Sequence, residues 1–318
     1  MWADRHSMAL WQGRVDPEAD SARWHQRVQP LVEGNPPGLA LLGFASDEGV
    51  RRNHGRVGAA NGPLAMRKAL ANLAWHRSGP AYDVGDVVCA DGDLEAAQAR
   101  LGECVGRLLE AGHLPIVLGG GHEVAFGSWQ GLAAHLGGDR SAQAVPPRIG
   151  IINFDAHFDL RDPAQVHSSG TPFAQIAEQC AIRGWPFAYA CIGVSRASNT
   201  RALYKRAAEL DVLVREDREI REASLAAIST DLDRFIADCD AVYLTIDIDV
   251  LPACEAPGVS APAARGVSLA LLEPLLERVR DSGKLRLADL AELNPEHDID
   301  SRTARLAARL IHLLSLTG

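Results

Sequence analysis

Three short stretches of this sequence concentrate side chains suited to chemistry: Gly119-Gly120-Gly121-His122-Glu123, Asp155-Ala156-His157-Phe158-Asp159 and Asp247-Ile248-Asp249. Each follows or ends an apolar run, and together they supply two histidines and four aspartates. Adjacent carboxylates cannot all stay ionised without a cation. Two divalent ions would balance four of them and leave a neutral core able to hold one hydroxide. Mixed imidazole and carboxylate donors suit Mn²⁺, and Zn²⁺, Fe²⁺ or Co²⁺ are also compatible. The absence of cysteine from the set argues against a structural zinc site.

Spacing refines this. Residues i and i+2 of a strand face the same way, about 6.6 Å apart, so Asp247 and Asp249 can reach two ions about 3.5–4 Å apart. A regular strand from Asp155 to Asp159 would span about 13 Å, too far for one compact site. The strand must therefore end near Asp155, and the chain must curl to bring Asp159 back. The glycines before His122 allow a tight turn and close approach to other backbone. Taken singly these signals are weak. An Asp-x-Asp is most often a turn or a helix cap, and Asp155 and Asp247 stand where acidic residues also serve as caps. Bare carboxylates after so apolar a run are costly, however, and all three motifs occur at strand ends, which favours the metal reading.

The elements that position these motifs are legible as a β/α alternation. Strand candidates are Leu39–Phe44, Leu114–Leu118, Ile149–Phe154, Ala188–Val194, Asp211–Val214, Ala241–Ile246 and Leu285–Ala291. Amphipathic stretches lie between them: Leu64–Trp75 (opened by Pro63), Leu94–Ala111, Glu123–Leu136, Thr200–Leu210, Ser224–Cys239, Ser268–Ser282 and Thr303–Leu314. This pattern predicts an α/β fold with a mostly parallel sheet and helices on both faces, whose ligands sit beyond the carboxyl ends of the strands. Residues 1–36 read as an N-terminal arm and residues 37–318 as one unit, with a surface loop at Gly137–Pro147.

Composition excludes several classes. The 318 residues are 47% hydrophobic and 23% charged, ordinary values for a globular chain. Lys plus Arg is 32 against 41 Asp plus Glu, a net charge of −9, which disfavours nucleic-acid binding. No apolar run is long enough to span a membrane, and no secretory signal is visible at the start. The six cysteines form no Cys-x-x-Cys pair, as expected of free thiols in the cytoplasm. The expected partner is a small-molecule substrate, with no nucleic-acid or membrane partner.

The three motifs GGGHE, DAHFD and DIDV resemble the metal motifs of the arginase–agmatinase (ureohydrolase) family, and the likeness runs from about Leu39 to Leu314. The resemblance implies a three-layer α/β/α sandwich with about eight strands, a possible homo-oligomer, and two Mn²⁺ per subunit. It implies His122, Asp155, Asp159 and Asp247 as ligands of one ion, and Asp155, His157, Asp247 and Asp249 as ligands of the other, with Asp155 and Asp247 bridging. Glu292, in Ala291-Glu292-Leu293-Asn294-Pro295, matches the family's holder of the amidine or guanidine group. Asp159 would pass a proton to the leaving nitrogen. The runs Asp47–Asn53, Gly55–Ala59, Ser168–Phe173 and Ala256–Pro262 resemble the branch that hydrolyses N-formimidoyl-L-glutamate to L-glutamate and formamide in histidine degradation. The runner-up is action on agmatine, guanidinobutyrate or arginine. A non-catalytic metal-binding relative would lack a ligand, and none is missing. A phosphatase is disfavoured because Glu292 would repel a phosphate.

The chain departs from arginases at two positions. Ser169 stands where they carry a histidine implicated in proton shuttling, and His167 could substitute only if its loop bends. Arg161 stands where they carry Asn near the amino-acid end of the substrate, and an Arg pairs bidentately with a carboxylate as Asn cannot. Arg161, Ser168, Ser169 and Thr171 are therefore the expected substrate-binding residues beside Glu292, with Arg51, Arg52 and Arg56 as further candidates.

Overall fold

Strands covered on both faces need apolar residues on both, and the runs above supply them. The structure, a computed structural model, describes residues 8–138 and 145–316. Residues 1–7 of the arm and 139–144 of the Gly137–Pro147 loop lie outside the described residues. The strands are β1 (Gln29–Pro30), β2 (Leu39–Ala45), β3 (Ala81–Val88), β4 (Leu114–Leu118), β5 (Ile149–Phe154), β6 (Ala188–Val194), β7 (Leu213–Glu216), β8 (Ala241–Asp247) and β9 (Leu285–Ala291). They form one sheet in the order β1-β3-β2-β4-β9-β8-β5-β6-β7, every pair parallel.

The helices are α1 (Glu48–Arg52), α2 (Gly62–Leu70), α3 (Leu94–Glu110), α4 (Val124–Gly137), α5 (Pro172–Arg183), α6 (Arg201–Glu209), α7 (Leu225–Ala237), α8 (Leu269–Arg280) and α9 (Arg302–Ser315). Two apolar cores result, one on each face of the sheet. Met66, Leu232, Leu275 and Ile311 bring α2, α7, α8 and α9 into the first. Leu101, Trp129, Ile176 and Ala207 bring α3, α4, α5 and α6 into the second. The three-layer sandwich is thus observed, with nine strands where about eight were expected. Among the described residues no helix is long and apolar enough to cross a membrane.

Neither β1 nor β3 is among the seven strand candidates of the sequence, and for β3 the reason is physical. In β3 the run is broken by Asp83, Gly85 and Asp86, yet both carboxylates are buried. The fully buried Arg67 of α2 pairs with them at 3.0 and 2.7 Å, and Trp11 Nε1 donates to Asp83 at 2.8 Å. A buried polar group so satisfied is tolerated within a strand. This network, with buried Trp24 and Val28, ties residues 8–30 to the sheet edge, where β1 pairs with β3. The strand expected at Asp211–Val214 lies two residues later because Asp211 adopts a left-handed turn, φ 53°. The α1 and α5 helices were also unforeseen. The latter opens with Pro172 directly after a turn at Ser168–Thr171.

Sheet order explains why distant motifs meet. The strands β4, β9, β8 and β5 are consecutive neighbours. Their carboxyl ends carry His122, Glu292, Asp247 and Asp155 respectively.

Candidate metal centre and substrate cavity

After β4 the chain turns through Gly119–Gly121 onto α4. A Cβ on Gly120 would lie 1.7 Å from the Ser46 carbonyl oxygen, so only glycine permits this approach. The turn aims His122 into the sheet's carboxyl edge. Its Nε2 lies 3.0 Å from Thr245 Oγ1, and its Nδ1 points at three carboxylates: Asp159 at 2.9 Å, Asp155 at 3.2 Å and Asp247 at 3.4 Å. The expected curl is present. The β5 strand ends at Phe154 and Asp159 adopts φ 46°, which returns its carboxylate to His122.

A second cluster adjoins the first. His157 Nδ1 lies 3.0 Å from Asp249 and 3.5 Å from Asp155. The structure thus brings together all six expected metal ligands in two groups: His122, Asp155, Asp159 and Asp247, and Asp155, His157 and Asp249. Within each group one donor atom per residue lies within 4.8 Å of the others, and Asp155 is common to both. Asp247 falls in the first group, and its Oδ1 accepts the Asp249 amide at 2.8 Å. Asp155 is itself oriented by Asn153 Nδ2 at 2.9 Å and by the His157 amide at 2.6 Å.

The donor set fits divalent cations. His122 Nδ1 is buried and makes no hydrogen bond, although carboxylate oxygens surround it. A lone pair and several anionic oxygens facing one point suit a cation and little else. The electrostatics agree. Burial and neighbouring carboxylates push Asp247 well above the usual carboxylate range and raise Asp159, and burial raises Asp249. The Asp249 carboxylate raises the His157 imidazole far above its ordinary value. Against the burial penalty, Asp155, Asp159 and Asp247 do the same to His122.

Glu292 closes the site from β9. It is buried with φ 68°, a conformation rare outside glycine, held by its amide on Gly120 O (2.8 Å) and by Oε1 accepting the His122 amide (2.9 Å). Its Oε2 is buried without a partner. Burial, then the nearby Glu123 carboxylate, push its pKa up to about 8. A cationic donor at Oε2 would offset that cost and favour the ionised carboxylate.

These groups face a cavity of about 330 Å³. Asp159, His157, Asp247, Asp249 and Glu292 line it together with Asn53, His54, Arg56, Arg161, Ser169, Ser198, Asn199 and Ser260. Of the expected substrate-binding residues, Arg161, Ser169 and Glu292 line the cavity. Ser168 and Thr171 do not: both are buried, and Thr171 Oγ1 accepts the Ser168 amide (2.9 Å) and donates within the turn, fixing the loop that carries Ser169. Of the further arginine candidates only Arg56 lines the cavity, and its guanidinium is committed to the Val259 and Ser260 carbonyls. Arg51 and Arg52 pair with Glu48, and Arg52 also with Glu95.

Sequence reasoning missed Asn199, which donates to Ala156 O (2.9 Å) and accepts the Phe158 amide (3.1 Å), bracing the Asp155–Asp159 loop. It follows β6, so the rule that polar residues after strands matter could have found it. Ser198, next to it, was open to the same rule, and His54 was missed without such a signal.

His167 lies outside the cavity lining. Its Nδ1 pairs with Glu95 at 3.3 Å, and its side chain is 39% exposed. His167→Ala should therefore lower kcat by far less than the roughly 10²–10⁴-fold expected for loss of a general acid–base. Steady-state kinetics on the Mn²⁺-loaded variant check this, and a full-sized loss with metal retained would give His167 the shuttle role.

The fold and the two adjoining donor groups define a class, and comparison with known proteins agrees: a model of the arginase family matches residues 37–316, and the chain belongs to that family. Within it, a formimidoylglutamase of Aeromonas hydrophila is 61% identical over 311 residues, covering 96% of this chain and 97% of the relative. One of Chromobacterium violaceum is 56% identical over 310 residues, covering 97% of each. Among solved structures, Trypanosoma cruzi formiminoglutamase with Mn²⁺ superposes with a TM-score of 0.77 at 26% identity, covering 88% of this chain and 93% of that one. Formimidoylglutamase of Bacillus subtilis shares the fold with a TM-score of 0.82 at 21% identity, covering 95% and 94%.

Proposed function

We propose that this protein hydrolyses N-formimidoyl-L-glutamate to L-glutamate and formamide, a step of histidine degradation, at a centre of two Mn²⁺ ions per subunit. The observation that carries this reading is a cavity lined by Glu292, by Arg161 and by His157, Asp159, Asp247 and Asp249 of the six-residue donor set. That arrangement matches a substrate with a cationic amidine at one end and carboxylates at the other. Identity of 61% to a formimidoylglutamase over nearly the whole chain supports it. Residues 37–318 form the catalytic unit and residues 1–36 an arm. The six cysteines are free thiols, which suits the cytoplasm.

His122, Asp155, Asp159 and Asp247 would hold one ion, and Asp155, His157, Asp247 and Asp249 the other, with Asp155 and Asp247 bridging. When bound, the ions would supply an activated water near neutral pH and stabilise negative charge developing on the substrate. Glu292 Oε2 accepts charge-assisted hydrogen bonds from the planar amidinium and sets its face toward the metal side. Asp159 lines the cavity, where it would take the proton released by water and deliver it to the departing glutamate nitrogen. Arg161 and Ser169 receive the glutamate end.

Product analysis tests the bond assignment. Attack with loss of the glutamate nitrogen yields glutamate and formamide in equal amounts. Release of ammonia and N-formylglutamate instead would show that the other C–N bond breaks, and would overturn the roles given to Asp159 and Arg161.

A further inference from the structure

Behind His122 lies a line of buried polar groups that the reaction leaves unused. Tyr243 and Thr245 of β8 and Asp289 of β9 are all fully buried. Thr245 and Asp289 stand opposite each other in the parallel register. The Tyr243 hydroxyl donates to Asp289 Oδ2 at 2.5 Å. Asp289 Oδ1 is buried with no hydrogen-bond partner of ordinary length, and the hydroxyl facing it across the strands is that of Thr245. Burial raises the Asp289 carboxyl above its ordinary range, and the hydroxyls of Thr245, Tyr243 and Ser128 work against that rise by donating to the carboxylate form. An ionised carboxylate only accepts hydrogen bonds. A Thr245 proton directed at Asp289 leaves Thr245 Oγ1 an acceptor on its other side, where His122 Nε2 lies 3.0 Å away. Nε2 then carries the ring proton, and Nδ1, facing the carboxylates, keeps its lone pair. Without that polarity the Thr245 hydroxyl could donate to Nε2, and the proton on Nδ1 would point at the cation.

We propose that Asp289 is a positioning residue of the metal centre, acting through Thr245 to fix the tautomer in which His122 presents Nδ1 as a ligand. This rests on the reading of His122 as a ligand. Partners that orient a ligating imidazole typically account for 10- to 100-fold in metal affinity.

The test is Mn²⁺ titration of the full chain, followed by electron paramagnetic resonance of the free ion, with folding checked by circular dichroism. Asp289→Asn should bind one of its two Mn²⁺ about 10-fold or more weakly and the other as the parent does. Thr245→Val, which removes the hydroxyl at nearly constant volume, should weaken the same ion. Thr245→Ser should restore parental affinity, which a purely packing role for the methyl group would not allow. Combining Asp289→Asn with Thr245→Val should add little to Thr245→Val alone, because the two act in series. A folded Asp289→Asn protein that binds both ions like the parent overturns the proposal. So does parental affinity in Thr245→Val, which decides the matter if Asp289→Asn fails to fold. A parent that binds no Mn²⁺ would instead overturn the reading of the centre itself.

Discussion

Asp247→Asn should lose tightly bound Mn²⁺ and most of its activity while keeping its fold. The Asp247 Oδ1 accepts the Asp249 amide, and an asparagine oxygen can keep that bond. The new NH₂ then takes the place of Oδ2, 3.4 Å from His122 Nδ1, and presents a donor where a cation would sit. The site loses a negative charge and a ligand together. Stabilisation of transition-state charge by a metal centre amounts to several kcal/mol, so kcat/KM should fall by about 10²–10⁴-fold. If Asp247 bridges, this variant should retain less metal after gel filtration than Asp249→Asn, whose side chain belongs only to the His157 group. An Asp247→Asn protein that keeps two ions and parental rates would remove Asp247 from the centre.

Most of this centre was legible in the sequence because metal sites in parallel sheets grow from strand ends. The β4, β5, β8 and β9 strands are apolar enough to be seen, and His122, Asp155, Asp247 and Glu292 follow or end them. The curl that returns Asp159 followed from distance alone: a straight strand could not bring it back. Sheet order could not be read this way. Nothing local states that β9 inserts between β4 and β8, and that insertion puts Glu292 beside His122. The β3 strand was missed because its carboxylates look like a loop until Arg67, sixteen and nineteen residues away, is seen to bind them. The substrate loop was legible by residue type but not by direction. Ser168, Ser169 and Thr171 are similar in sequence, yet only Ser169 lines the cavity, because the turn around Thr171 consumes the other two.

The second large effect is expected from Arg161→Ala. The Arg161 amide donates to Gly170 O at 2.9 Å, and its side chain lies over Gly170, whose added Cβ would be 2.8 Å from Arg161 Cδ. The stem is thus supported, while among the described residues the guanidinium has no hydrogen-bond or ion-pair partner. Asp159, two residues away, anchors the loop at the metal cluster. Arg161 lines the same cavity as Glu292 and the donor cluster, so a glutamate carboxylate several bonds from the amidine carbon is expected to meet this side chain. A charge-assisted contact contributes about 1.5–3 kcal/mol, so kcat/KM for N-formimidoyl-L-glutamate should drop roughly 10- to 150-fold. The loss should appear mainly in KM, since the carboxylate is bound alike before and during reaction. Mn²⁺ content should not change. Parental kinetics in the variant would make Arg161 a structural residue.

The most direct test of the account compares kcat/KM of the Mn²⁺-loaded protein for N-formimidoyl-L-glutamate, agmatine, 4-guanidinobutyrate and L-arginine under one set of conditions. The free end of agmatine is a cation and should be repelled by Arg161. Guanidinobutyrate and arginine place a single carboxylate at other distances from the reacting carbon. The account predicts that N-formimidoyl-L-glutamate is turned over fastest by at least about 10-fold per mismatched charged contact, at 1.4 kcal/mol per decade. Efficient hydrolysis of agmatine with no turnover of N-formimidoyl-L-glutamate would contradict it.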